Sequence, residues 1–173
     1  MKPTGTKYQP ITLRALLIED FPVVVKWSKD NAFCLANGWA IGRNEDELSS
    51  WWDNCVQNPS QTFLRLGILY ESRLIGYADL AYIKANSAEL GIAIGDSKVW
   101  GHGVGTEALK QLMNYATEEF GIEHFDVETH KANTRPRKML EKLEFMEISR
   151  IGSEVYMGIE SQLIQYRYNR GNK

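Results

Sequence analysis

Cysteine, proline and any excess of one charge are scarce in this chain of 173 residues, which holds two cysteines, five prolines, and 20 basic against 22 acidic side chains. Cys34 and Cys55 lie far apart, with no Cys or His at metal-ligand spacing. They are expected as reduced thiols, not as a disulfide, a zinc site or a redox motif, and no metal is expected. The interspersed charges build no basic field of the kind that condenses on nucleic acid or anionic lipid, so neither is an expected partner. No apolar run approaches the roughly 20 residues of a membrane span. The opening Met1-Lys2-Pro3-Thr4-Gly5-Thr6-Lys7 has no apolar stretch of a signal peptide, which points to a cytoplasmic location. No Gly-Lys-Ser/Thr occurs anywhere, which excludes the nucleoside-triphosphate loop.

What is present suits one packed core. With 43% apolar residues, a chain this long buries roughly 70% of the surface its unfolded form exposes and needs no staple. No repeat, low-complexity segment or linker divides it, so residues 1–173 are expected to form a single domain with a core of about 11–168. The polar ends, 1–10 and Asn169 to Lys173, are expected to fray.

Ile11-Thr12-Leu13-Arg14 alternates like a strand, and Glu19-Asp20-Phe21-Pro22 opens a helix with acid in its first turn. Asn44, followed by Glu47 at the capping-box spacing, starts a second helix with Leu48, Trp51, Trp52, Cys55 and Val56 on one face. Phe63 to Tyr70 and Leu74 to Tyr82 read as strands paired around Glu71-Ser72-Arg73, and Ala88 to Ile94 as a third. The repeat of Val104, Ala108, Leu109, Leu112, Met113, Ala116 and Phe120 predicts the longest helix, stopped by Gly121. A buried strand (Phe125 to Thr129), a helix from about Thr134 with Pro136 in its first turn, and strands at Phe145 to Ile151 and Leu163 to Tyr168 complete the chain. The order is β-α-α-β-β-β-α-β-α-β-β. It predicts an α/β (α+β) fold with a mixed, mostly antiparallel sheet flanked by helices.

The stretch that carries chemistry runs from Ala88-Glu89-Leu90-Gly91-Ile92-Ala93-Ile94, through a short loop, to Trp100-Gly101-His102-Gly103-Val104-Gly105-Thr106. Alternating glycines clear side chains from the approach to a helix whose first-turn amides are free donors at the positive end of its dipole, a phosphate-binding assembly. Gly103-x-Gly105-x-x-Ala108, with Glu128 about 20 residues on, also fits the dinucleotide fingerprint. That motif belongs directly after a strand at the start of a domain, whereas Asp96 to Trp100 intervene here and too little chain follows for a doubly wound sheet.

The Glu-bearing strand, the glycine loop opening the longest helix, and a second motif, Asn133-Thr134-Arg135-Pro136-Arg137-Lys138-Met139-Leu140-Glu141-Lys142-Leu143-Glu144-Phe145, together resemble the GCN5-related N-acetyltransferases over roughly residues 11–168. The Trp-Gly-x-Gly loop is similar to the branch that acetylates ribosomal-protein N-termini and polyamines. The resemblance implies direct attack of an amine on the thioester of acetyl-CoA, with CoA as product. The backbone of Ile92, Ala93 and Ile94 would hold extended pantetheine in the manner of an added strand. The amides of His102, Gly103, Val104, Gly105 and Thr106 would bind pyrophosphate; Lys138, Lys131 and Arg135 either reach the adenosine phosphates or form a solvated helix face. An amide of Ala93 or Ile94 would stabilise the oxyanion. Glu89 is the candidate base, with Asp79 in reserve and a solvated strand-end charge as the alternative reading. Asn133 would position cofactor or water, or else simply cap its helix.

Two residues depart from the family pattern. Leu140 stands where many relatives carry a tyrosine acid, seven residues after the Asn. A thiolate whose conjugate pKa is about 8.5 leaves without that help. Glu144 replaces the usual Gly before Phe145, a strained choice if the backbone there is left-handed. His102 is a candidate phosphate ligand, whereas His124 and His130 read as structural. Trp51 and Trp52 read as core and Trp39 as a pocket wall; Glu45, Asp46 and Glu47 either attract a cationic amine or simply suit a helix start. The expected acceptor is a small-molecule or peptide amine: a small amine or polyamine, or a protein N-terminal amine. A homodimer is compatible with the sequence, and the rival function is a non-catalytic acyl-CoA-binding sensor or interaction module on the same fold.

Overall fold

The computed structural model describes residues 11–171. The expectations placed on residues 1–10, 172 and 173 lie outside the described residues. The elements run β1 (Ile11–Ala15), α1 (Phe21–Ser28), α2 (Asn31–Asn37), α3 (Glu45–Gln57), β2 (Leu64–Tyr70), β3 (Arg73–Ala81), β4 (Ser87–Ile94), α4 (Val104–Phe120), β5 (His124–His130), α5 (Thr134–Lys142), β6 (Met146–Ser149), β7 (Ser153–Tyr156) and β8 (Ile159–Asn169). Their strands form a sheet in the order β1-β2-β3-β4-β5-β8-β6, with β7 also on β8. All pairings are antiparallel except β4 with β5. This is the mixed, mostly antiparallel architecture expected from the element order.

Local chemistry explains the element ends. Asn44 accepts hydrogen bonds from the Asp46 and Glu47 amides at the start of α3. Gly121, at φ +68°, ends α4 in the left-handed conformation that side chains resist. Glu71 and Ser72 both have positive φ, the two-residue turn whose twist matches a hairpin.

Two apolar layers sandwich the sheet. On one face, Ala108, Leu109, Leu112 and Ala116 of α4 and Leu140 of α5 pack on Ile68, Ala78, Leu80, Leu90 and Phe125. Each fully buried leucine or isoleucine there contributes about 1.5–3 kcal/mol. On the other face, Val24, Trp27, Phe33, Leu48 and Trp52 from α1, α2 and α3 cover Leu74, Tyr77 and Ala93.

The structure adds two elements to the predicted order. Helix α2 spans seven residues, capped by Asp30 and ended by Gly38 in the left-handed conformation, and is too short to show a period. Strand β7 joins the front half of β8 through Met157 and Gly158, again a two-residue turn with positive φ at both positions. Strand β8 therefore begins at Ile159, four residues before the predicted Leu163. The C-terminal end also departs from expectation at Asn169 and Arg170, which are packed instead of frayed. Asn169 bonds the His124 ring at 2.7 Å. Arg170 donates to Thr117 and Asn114, at 2.9 Å each.

Candidate active site

Strands β4 and β5 begin side by side and then part. Ser87, Ala88 and Glu89 pair with His124, Phe125 and Asp126, and no later residue of β4 has a partner on β5. Leu90 to Ile94 therefore face an opening with one side of the strand unpaired. The Gly95 amide donates to the Ile75 carbonyl, so the flanked pair Gly76–Ile94 is of the non-hydrogen-bonded kind, and the N–H and C=O of Ile94 point away from β3. By the same alternation Ile92 also turns to the opening, while Ala93 turns to β3. Of the two amides named for an oxyanion, that of Ile94 faces the opening.

The loop from β4 to α4 is built rigidly. Asp96 accepts from the Lys98 amide at 3.0 Å, Ser97 donates to Asp30 at 2.6 Å, and the Trp100 indole donates to the Ile94 carbonyl at 2.9 Å. Gly101 and Gly103 have φ of +82° and +76°, with open space where a Cβ would stand. Conformation, not crowding, demands glycine there, and the space beside the loop stays clear. No side chain caps α4, so the amides of Val104, Gly105 and Thr106 remain first-turn donors. His102 and Lys138 are exposed, and Thr106 is half-buried.

The second motif closes the opposite wall. A Cβ at Gly105 would stand 3.5 Å from the Met139 sulfur, and the Arg135 guanidinium lies 5.4 Å from the Trp100 ring centre. Asn133 stands at the N-cap of α5, yet its side chain makes no capping bond. The simple capping role is thus not what the structure holds. Leu140 is fully buried in the core, so its position offers nothing to the opening.

Glu89 lies half-buried on the face away from α4, in register with Asp126. Burial, with the nearby carboxylates of Glu128 and Asp126, pushes its carboxyl above the ordinary glutamate range. Asp126 is tied to Arg167 at 2.7 Å, and Glu128 accepts from Gln165 at 2.9 Å. No ion pair among the described residues engages Glu89. A half-buried carboxylate that holds its proton more tightly and has no cation is suited to taking a proton from an ammonium.

Asp79, the reserve acid, is already committed. Arg65 donates to both its oxygens at 2.7 Å, and the Arg65 guanidinium lies 4.3 Å from the Tyr77 ring centre. Sequence reading missed Arg65, and the signal for it was period: Arg65 and Asp79 stand opposite each other in the hairpin of β2 and β3, on the face that α1, α2 and α3 cover. Trp39 is half-buried, edge-on to Phe33 and Trp51, and its indole donates to the Tyr77 hydroxyl at 3.3 Å. No cluster among the described residues could hold a metal ion, and no helix among them is long and apolar enough to cross a membrane.

The chain is similar throughout its length to solved acetyltransferases. Spermidine N-acetyltransferase from Vibrio cholerae, in complex with CoA and spermine, shares 18% identity at a TM-score of 0.78, covering 92% of this chain and 95% of that one. RimL, a ribosomal L7/L12 alpha-N-protein acetyltransferase in complex with coenzyme A, shares 16% at 0.81, covering 99% and 98%. The microcin C7 self-immunity acetyltransferase MccE, in complex with acetyl-CoA and AMP, shares 20% at 0.79, covering 97% of each. At these identities the likeness is one of fold. The acetyltransferase (GNAT) domain profile, however, matches residues 11–146, which hold the parted strands, the glycine loop and both motifs. The chain belongs to the acetyltransferase (GNAT) domain family.

Proposed function

We propose that this protein is an N-acetyltransferase that moves the acetyl group of acetyl-CoA to a primary amine by direct attack, releasing CoA. The observation that carries the proposal is the opening between β4 and β5, which has an uncapped helix start at one end and the half-buried, unpaired Glu89 on its acceptor face. The residues fit the group. Ile92 offers its N–H and C=O to an extended amide chain and Ile94 its N–H, the Ile94 carbonyl being held by the Trp100 indole, with Ala93 between them holding the strand to β3. The amides from His102 to Thr106 suit a pyrophosphate, with Lys138 and Arg135 as flanking cations. Acetyl-CoA supplies an activated acyl thioester there.

The rest of the reaction falls to the chain. Glu89 takes the proton of the substrate ammonium, whose pKa is about 10 and which cannot attack while charged. The Ile94 amide donates to the carbonyl oxygen as charge develops on it. Asn133, free of capping duty, orients the bound groups. Burial of Leu140 removes the tyrosine acid, but a thiolate leaves without one, so this loss does not favour a non-catalytic sensor.

The same reading covers the wider setting. Residues 1–173 act as a single domain, in the cytoplasm, without nucleic acid. The exposed apolar side chains of the outer edge, Met146, Ile148, Ile151 and Val155, support a homodimer, which light scattering after gel filtration would detect. The function is tested by thermal shift against acetyl-CoA, CoA, NADH and ATP, followed by thiol release with amine acceptors. A ligand at 100 times its Kd stabilises by about 2.7 kcal/mol, so a selective shift of roughly 5–10 °C with the CoA species is expected. A shift with NADH alone overturns the proposal.

A further inference from the structure

The acceptor side of the sheet is electrically polarised. Toward β5 lie the carboxylates: Glu89 without a cation, Glu128 held only by an amide, and Asp126 paired to Arg167. Toward β2 and α3 lie two guanidiniums. Arg65 is 5.4 Å from the Trp51 ring centre, and Arg43, from the loop before α3, is also 5.4 Å from it. One indole therefore carries two cations, of which only Arg65 enters an ion pair among the described residues, with Asp79.

That carboxylate belongs to Arg65, which grips it with both Nε and Nη2 at 2.7 Å. Arg43 is half-buried, lies 6.0 Å from the Trp39 ring centre as well, and enters no ion pair among the described residues. Aromatic stacking fixes its direction but leaves its donors and its charge unanswered. The cluster lies beside the opening. Asp79 pairs in register with Gly91, and Tyr77 with Ala93. A Cβ at Gly91 would stand 3.6 Å from that of Asp79, and Glu89 is two residues earlier on the same face of β4.

On the reading of this opening as an acetyl-transfer site, we infer that the acceptor is a primary amine that also carries a carboxylate, and that Arg43 receives the carboxylate while the amine faces Glu89. The aromatic walls that would surround a second ammonium already hold Arg65, and a polyamine would bring its far charge against Arg43. An amino acid or an acidic peptide N-terminus presents the matching pair of charges. Its carboxylate and a guanidinium form the two-pronged hydrogen bond that a planar cation provides.

Acceptors matched in all but charge test this. Free amino acids are compared with their amides, and peptides beginning Asp or Glu with those beginning Asn or Gln, alongside spermidine, by thiol release. The carboxylate member of a pair is expected to have the higher kcat/KM by at least about tenfold, the value of a charge-assisted bond, expressed in KM. The free amino acids and the acidic peptides separate the two sources of the carboxylate. Arg43→Met is expected to erase the preference while acetyl-CoA affinity stays as it was, and Arg150→Met, at the far edge, is expected to keep it. The same comparison by calorimetry, on protein saturated with CoA, reads the preference without turnover. Equal kcat/KM or equal affinity within the pairs, a preference for spermidine, or a preference that survives Arg43→Met overturns the inference. Acetyl-CoA binding without thiol release from any amine would instead overturn the enzymatic reading, and calorimetry would still decide the role of Arg43.

Discussion

Arg135 and Trp100 meet across the mouth of the opening, the guanidinium carbon 5.4 Å from the indole centre. The indole is itself fixed by its bond to the Ile94 carbonyl. The first turn of α5 is thus tied to the glycine loop through one ring. Arg135→Ala removes both this contact, which contributes about 0.5–1 kcal/mol at an exposed site, and a cation beside the anionic ligand. Acetyl-CoA affinity measured by calorimetry should fall about tenfold, the equivalent of about 1.4 kcal/mol. Arg135→Lys should recover part of it. Unchanged affinity in the alanine variant would remove Arg135 from the binding surface.

Glu89→Gln should lower kcat by about 10²-fold or more at saturating amine, with acetyl-CoA affinity retained. Because burial and the neighbouring carboxylates raise the Glu89 pKa in the folded protein, activity should fall on the acid side through a midpoint above that of an ordinary glutamate. The sign for stability follows from the same shift. The folded state holds this proton more tightly than the unfolded chain, so the charged carboxylate costs stability once pH rises through the two pKa values. Glu89→Gln should therefore raise Tm at pH 7 and lose that gain in acid. A lower Tm at neutral pH would show a carboxylate paired in solution.

Glu144 has φ +66°, and the Phe145 amide reaches back to the Leu140 carbonyl at 3.0 Å. That is the helix stop in which glycine is the preferred residue. Glu144→Gly should relieve about 1 kcal/mol and raise Tm by about 2–4 °C. A calorimetric scan showing no rise would mean that the glutamate side chain returns the strain elsewhere.

Much of this was legible from the chain alone. The span of α4 from Val104 to Phe120, its stop at Gly121 and the cap at Asn44 follow from period and local hydrogen bonding, which act within a few residues. The left-handed turn at Glu144 was legible only as a condition, because helices also end without one, as α1 does at Lys29 and α3 at Asn58. Helix α2 and strand β7 escaped because neither is long enough to show a period. The site divides along the same line. Glu89 and the glycine loop lie in one continuous stretch, whereas the Arg65–Asp79 pair and the stacking of Arg43 on Trp51 join residues that only the folded sheet brings together.

Gly95 sets a further test. A Cβ there would overlap atoms of the Trp27 ring, and Trp27 is buried at 3% exposure. Gly95→Ala should destabilise by about 2 kcal/mol through overpacking, lowering Tm by about 4–8 °C. A melting curve that does not move would show that α1 does not press on the end of β4 in solution.

The parting of β4 and β5 reaches beyond catalysis. Across its middle the sheet is continuous through just three residue pairs. The break separates a ribbon ending at Ile94 from one starting at His124, with α4 bridging them as a brace. A ligand lying along β4 would become a non-protein strand of that sheet. Occupancy and architecture are then one variable: the two ribbons, joined by three pairs, gain a longer shared ladder through the ligand. Slowed amide exchange at Ile92 and Ile94 would record the moment the sheet becomes whole.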